Sequence, residues 1–237
     1  MSLEHLDELS DAISEVTAST EYLVVADGKD GLSRSSTPTV LNACARHERF
    51  YLDDGSLTFI MPQSALVYRV HGSLFAAHSP LWKAKIDDQG IYAQVELKNI
   101  DTRDLNAFLS VLYPRSHYAP EERTTADWIS ILRMAHQWEF PDIRSLAIEK
   151  LRDLAPPVER LVLARDFNIP TWVETARSEL YAREEPLSTP EAKRLDMADV
   201  VKIFTTREAA LAAKVETLRK ALDPRGERSV RDLFDDN

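Results

Sequence analysis

The sequence predicts an α+β fold: a small three-stranded sheet with a cluster of helices, followed by an all-α helical extension. Three observations predict it. Two short extended runs flank a polar break within residues 57–70, apolar residues recur at helical spacing from Asp101 onward, and a helix–turn–helix pattern repeats in the second half at an offset of 29 residues.

The extended runs come first. Leu57, Phe59 and Met61 alternate with Thr58 and Ile60, residues 62–64 are polar, and residues 66–70 resume a β-branched and aromatic run, which together predict a β-hairpin. His71 and Gly72 end it. Leu74, Phe75 and Ala77 then form a helix-spaced apolar face that stops at His78, and Ser79 with Pro80 starts a second helix. A serine hydroxyl at the N-cap accepts from the first-turn amides, and proline at the next position loses only an N–H that would be unpaired anyway. Residues 92–97 supply a third strand.

Beyond Asp101, Leu105, Phe108, Leu109 and Leu112 make one apolar stripe, and Trp128, Leu132, Ala135 and Trp138 make the next. Ala135, Trp138, Phe140, Pro141, Ala147 and Leu151 match Ala164, Phe167, Ile169, Pro170, Ala176 and Leu180. Each unit is expected to end a helix shortly before its proline and to open the next helix on it. Such units bury a face only against neighbours, so the second is expected to dock on the first, with Trp138 and Phe167 both buried. Pro156 and Pro157 mark the boundary of the helical extension. Thr189, Pro190 and Glu191 start a short helix, and Val200, Val201, Phe204, Ala209, Leu211, Val215 and Leu218 support a longer last one.

The ends of the chain read differently. Leu6, Leu9, Ile13 and Val16 have helical spacing among acidic residues, a short amphipathic helix of marginal stability. Residues 27–38 are rich in turn formers and read as a linker. The expected organisation is an N-terminal segment 1–48, partly disordered, a first domain 49–155, a helical extension 156–224 and a charged tail 225–237.

Here the chain resembles a known family. YRVH (68–71), LFAAHSPLW (74–82), the strand at 92–97 and LSVLYP (109–114) resemble the BTB/POZ domain in the form abundant in fungal proteins. MAHQWEFPDIRSLAIEKL, LARDFNIPTWVETARSELYAREEPL and VVKIFTTREAAL resemble the BACK-like helical tail that follows it, and the likeness runs from Arg49 to Leu211. The resemblance implies a protein–protein interaction module that homodimerises through its first helices and hairpin, with Leu74 and Phe75 at or close to the dimer contact. Some members of that family also bind a cullin scaffold as substrate adaptors of cullin-RING ubiquitin ligases, through a loop after the second helix in which a hydrophobic residue stands two positions before an acidic one. Ile86, Asp87 and Asp88 occupy that cullin-facing place, with Asp where Glu is usual. A dimerising scaffold without a ligase role is the alternative; kelch glycine doublets and the cysteines of zinc fingers are missing.

Composition sets the remaining limits. The 237 residues, 44% hydrophobic and 29% charged, suffice for one good core and a smaller satellite. A net charge of -10 and no basic run argue against a nucleic-acid partner. Cys44 is the only cysteine, so no intrachain disulfide forms, and no apolar run or leader pattern points to a membrane; the expected compartment is cytoplasmic or nuclear. No cofactor or metal is expected. Cys44 and His47 form half of a zinc spacing with no second half, DGKDG (27–31) lacks the alternating carboxylates of a calcium loop, and Asp53–Asp54 and Asp87–Asp88 are adjacent pairs that do not converge. No G-x-S-x-G elbow, P-loop or G-x-G-x-x-G occurs. The enzyme alternative would need a site among His71, His78, His117 and His136, and a catalytic role is not expected.

Overall fold

The structure is a computed structural model that describes residues 44–90, 92–116 and 121–222. The amphipathic run at 6–16, the linker at 27–38, His117 and the tail from 225 lie outside the described residues. The chain divides into two compact units, residues 1–150 and 151–237, ahead of the Pro156–Pro157 break.

The first unit is α+β. Strands β1 (Ala45–Tyr51), β2 (Leu57–Met61), β3 (Leu66–Val70) and β4 (Gln94–Glu96) form one sheet in the order β1-β3-β2-β4. The predicted hairpin is β2–β3, antiparallel from Leu57↔Val70 to Met61↔Leu66, turned by a 3₁₀ segment Pro62–Ser64 and by Ala65 at φ 51°. The sheet has four strands, not three. β1 runs parallel to β3 with an irregular register, and its sequence ARHERFY is too charged and too weakly alternating to show as a strand. Gly55 precedes β2 where a Cβ would stand 3.0 Å from the Arg69 and Val70 backbone, so the chain approaches β3 there as only glycine can.

Helices α1 (Gly72–His78), α2 (Pro80–Gln89), α3 (Thr102–Leu112), α4 (Thr125–Gln137) and the start of α5 (Pro141–Leu154) cover one sheet face. Beneath them Phe59, Phe75, Trp82, Phe108, Trp138 and Phe140 form a buried aromatic cluster. Ring centroids lie 5.2 Å apart for Trp82–Trp138, 5.4 Å for Phe59–Trp82 and 5.0 Å for Phe108–Phe140, within the range where edge-to-face contact adds to burial. Ser79 Oγ caps α2 as the sequence suggests, accepting from Trp82 N at 3.0 Å, and Thr124 with Asp127 makes a reciprocal capping box on α4.

The second unit is helical: α6 (Pro157–Asp166), a 3₁₀ turn Pro170–Trp172, α7 (Val173–Ala182), α8 (Thr189–Arg194) and α9 (Met197–Leu222). Its core gathers Val158, Leu161, Ala176, Leu180, Leu195 and Ile203. Arginines lace the helices together. Arg160 pairs with Glu179, Arg177 with Asp199 at 2.5 Å, Arg183 with Glu191 at 2.7 Å and Arg194 with Glu159 at 2.6 Å. Arg207 donates to the carbonyls of Leu180, Arg183 and Glu184, capping the C-terminal end of α7 from α9. Trp138 is fully buried as expected, whereas Phe167 is only half-buried. No described helix is long and apolar enough to cross a membrane.

Candidate interaction surface

The sheet has a helix-covered face and an outer one, and the pleat decides which side chains reach the second. Thr58 and Ile60 on β2 are opposite Arg69 and Val67 on β3, Arg46 of β1 is opposite Val67, and Gln94 of β4 is opposite Thr58, so these residues share the outer face. All but Ile60 line a concavity of about 420 Å³ whose lining also includes Tyr51 and Tyr92. None of its lining residues is acidic. In a chain of net charge -10 this concentrates two arginines on one surface. The Arg46 guanidinium lies 4.6 Å from the centre of the Tyr51 ring, and Arg69 Nε donates to the Gly55 carbonyl at 2.7 Å, so both cations are held in place. Tyr92 is 77% exposed, an aromatic available for contact at the edge of the concavity.

The residues singled out from the sequence fall elsewhere. Phe75 is fully buried, its ring 5.5 Å from Phe59, 5.4 Å from Trp82 and 5.4 Å from Phe140. It is a core residue and not a dimer contact: its face of α1 is turned to the sheet, and filling the aromatic cluster uses the whole side chain. Leu74, one step around the helix, is half-buried and retains an accessible edge. Ile86 is also a correction. It lies one turn after Trp82 on the buried side of α2 and is 6% exposed, so it cannot serve as an anchor offered to a cullin. Asp87 and Asp88 are exposed, and Asp87 pairs with Lys83 at 2.7 Å along the helix.

Among the described residues the histidines do not converge. His71 lies against the Tyr113 hydroxyl at 3.2 Å and Asp54 at 3.2 Å, and its ring holds the Asp54 carboxyl below the usual carboxylate range. His78 approaches Asp142 at 3.8 Å. His47 Nδ1 accepts from the Arg49 and Phe50 amides, both at 3.1 Å, while its ring stacks on Tyr68 with centroids 4.5 Å apart; burial lowers its pKa. This ring organises the β1 backbone. Burial pushes the Tyr68 hydroxyl up to about 12, and it donates to Asn106 Oδ1 at 3.1 Å. Among the described residues no three His, Cys, Asp or Glu side chains group as a metal site.

Reading the sequence missed the outer-face concavity, because β1 was not recognised as a strand and Arg46 therefore had no place. The usable signal was Arg69 at the polar register position of an otherwise apolar strand. Compared with known protein families and with curated proteins, the chain matches none.

Proposed function

We propose that the chain is a protein–protein interaction module of BTB/POZ type whose first unit self-associates through the hairpin, the outer sheet face and the Leu74 edge of α1. The observation that carries this reading is the arginine-lined concavity on the outer face, whose lining holds no carboxylate in an otherwise acidic chain. The order hairpin, helix pair, short strand, helix supports the family reading, since it follows the motifs that resemble BTB/POZ. A scaffold role fits better than a cullin adaptor, because the adaptor reading depended on Ile86 as the desolvated anchor and that side chain belongs to the core.

The test is assembly of the full chain. Sedimentation equilibrium at micromolar concentration is expected to give a mass of at least twice 26.9 kDa. Arg46→Glu, an exposed substitution that places a carboxylate on the concavity, is expected to weaken association roughly tenfold. Association unchanged by Arg46→Glu and by Leu74→Glu would move the contact off both the outer sheet face and the Leu74 edge of α1.

A further inference from the structure

Helix α9 carries a surface that its own unit does not use. Its N-terminal part is anchored by Ile203, the one buried side chain in the helix, and by Arg207 on the α7 carbonyls. From Glu208 to Leu222 every residue is exposed. Seven large exposed hydrophobics lie on this one helix, and they follow a strict alternation of three and four residues: Met197, Val201, Phe204, Leu211, Val215, Leu218 and Leu222, with Glu208 at the single remaining position. That is a heptad seam, with Met197, Phe204, Leu211 and Leu218 at d and Val201, Glu208, Val215 and Leu222 at a. A helix meant to stand alone in water gains nothing from such a stripe. A free segment of about 15 residues is also marginal as a helix, even with the alanines at 209, 210, 212 and 213.

We infer that the seam is a second self-association surface, closed by α9 of another copy running antiparallel. Charge selects the occupant and its direction. In a parallel pair Glu208 would face the partner's Glu208 in the core, and Lys214 at g would face the partner's Arg219 at e on each flank, three repulsions per seam. Antiparallel pairing centred near Ala213 removes the Glu208–Glu208 contact and reduces the cationic flank contacts from two Lys214–Arg219 pairs to one Lys214–Lys214 pair. Phe204 then layers on the partner's Leu222, Leu211 on the partner's Val215, and Glu208 sits beside the partner's Leu218 and Arg219. By two-fold symmetry the Glu208–Arg219 pair forms twice. Among the described residues neither Glu208 nor Arg219 has an ion-pair partner within its own chain. Ala212 meets its own copy on one flank of the axis, small enough for close approach. Lys214 meets its copy on the other flank, where two long exposed side chains diverge into water. The overlap spans residues 204–222, about 28 Å of helix, and covers five of the seven exposed hydrophobics, leaving Met197 and Val201 outside it. Pairing one heptad toward the N-terminus instead sets Glu208 beside the partner's Leu211 and Ala212, neither of them a cation.

This inference is independent of the outer sheet face, and the experiment separates the two. Sedimentation equilibrium of the full chain compares wild type with Leu211→Glu/Leu218→Glu, Glu208→Arg, Arg219→Glu and the double reversal Glu208→Arg/Arg219→Glu. All four positions are exposed, and unchanged circular dichroism at the wild-type thermal midpoint checks folding. The seam variant is expected to lose one two-fold step, halving the assembled mass whether wild type is a dimer through α9 alone or a larger species that also uses the sheet face. Each single reversal is expected to weaken that step about tenfold and the double reversal to restore it to within about threefold. A mass that is the same with and without the seam residues would give the stripe to another protein's helix or to none and overturns the proposal. Failure of the double reversal to rescue overturns the antiparallel pairing.

Discussion

Glu139 and Asn168 hold the same left-handed backbone conformation, φ 53° and 50°, at positions 29 residues apart. Around each the same bonds form: Phe140 N donates to the Ala135 carbonyl and Ile169 N to the Ala164 carbonyl, both at 2.8 Å, while the Glu139 and Asn168 amides reach back to His136 and Arg165. These are Schellman helix ends, so the repeat seen in the side chains is also a repeat of the backbone. A left-handed glutamate is costly because its Cβ crowds the carbonyl, whereas asparagine tolerates the region. Glu139→Gly is therefore expected to raise stability by about 0.5–1 kcal/mol and Asn168→Gly by less, read from urea midpoints. A loss of stability in Glu139→Gly would mean that its side chain holds the turn.

Trp138 and Phe167 are equivalent in the repeat but not in burial. Trp138 touches Phe59, Phe75, Trp82 and Phe108, whereas Phe167 is half-buried. Trp138→Ala is expected to cost about 3–5 kcal/mol and Phe167→Ala clearly less. Equal losses in chemical denaturation would contradict the assignment of Trp138 to the aromatic core.

Ile86 and Asp88 separate core from surface on one helix. Ile86→Ala is expected to destabilise by about 2–5 kcal/mol, and Asp88→Asn to stay within about 0.5 kcal/mol. Measured the same way, a neutral Ile86→Ala would return Ile86 to the surface and revive it as a partner anchor.

Glu191 gives the chain an acid-sensitive joint. The Arg183 guanidinium, then the Ser188 amide and hydroxyl, hold its carboxyl down at about 2, against an ordinary 4.5. A lowered folded pKa means that the contribution is fully present above about pH 4.5 and is lost as pH falls toward about 2. Glu191→Gln is expected to lower stability at neutral pH and to flatten the acid limb of the stability profile in that window. The pair is partly exposed, so the effect is modest and shrinks with salt. An acid limb identical to wild type would mean that Arg183 and Ser188 do not hold the carboxylate.

Much of the fold was legible and much of the surface was not. The hairpin showed because Leu57, Phe59 and Met61 alternate, the α2 start because Ser79 precedes Pro80, and the helical repeat because its prolines and aromatics keep one offset. Phe75 and Ile86 were misplaced because helical spacing identifies an apolar face without saying whether a sheet or a partner covers it. β1 escaped because Arg46, His47, Glu48 and Arg49 look like a loop until β3 pairs with them. The α9 seam was written in the sequence, yet its meaning depended on learning that only Ile203 of that helix is buried.

The claim that this chain works by self-association rests on one quantity, its mass in solution. Sedimentation equilibrium of the full chain across the micromolar range is predicted to give at least twice 26.9 kDa and to fall when the outer sheet face or the α9 seam is mutated. A 26.9 kDa monomer at every concentration would contradict it.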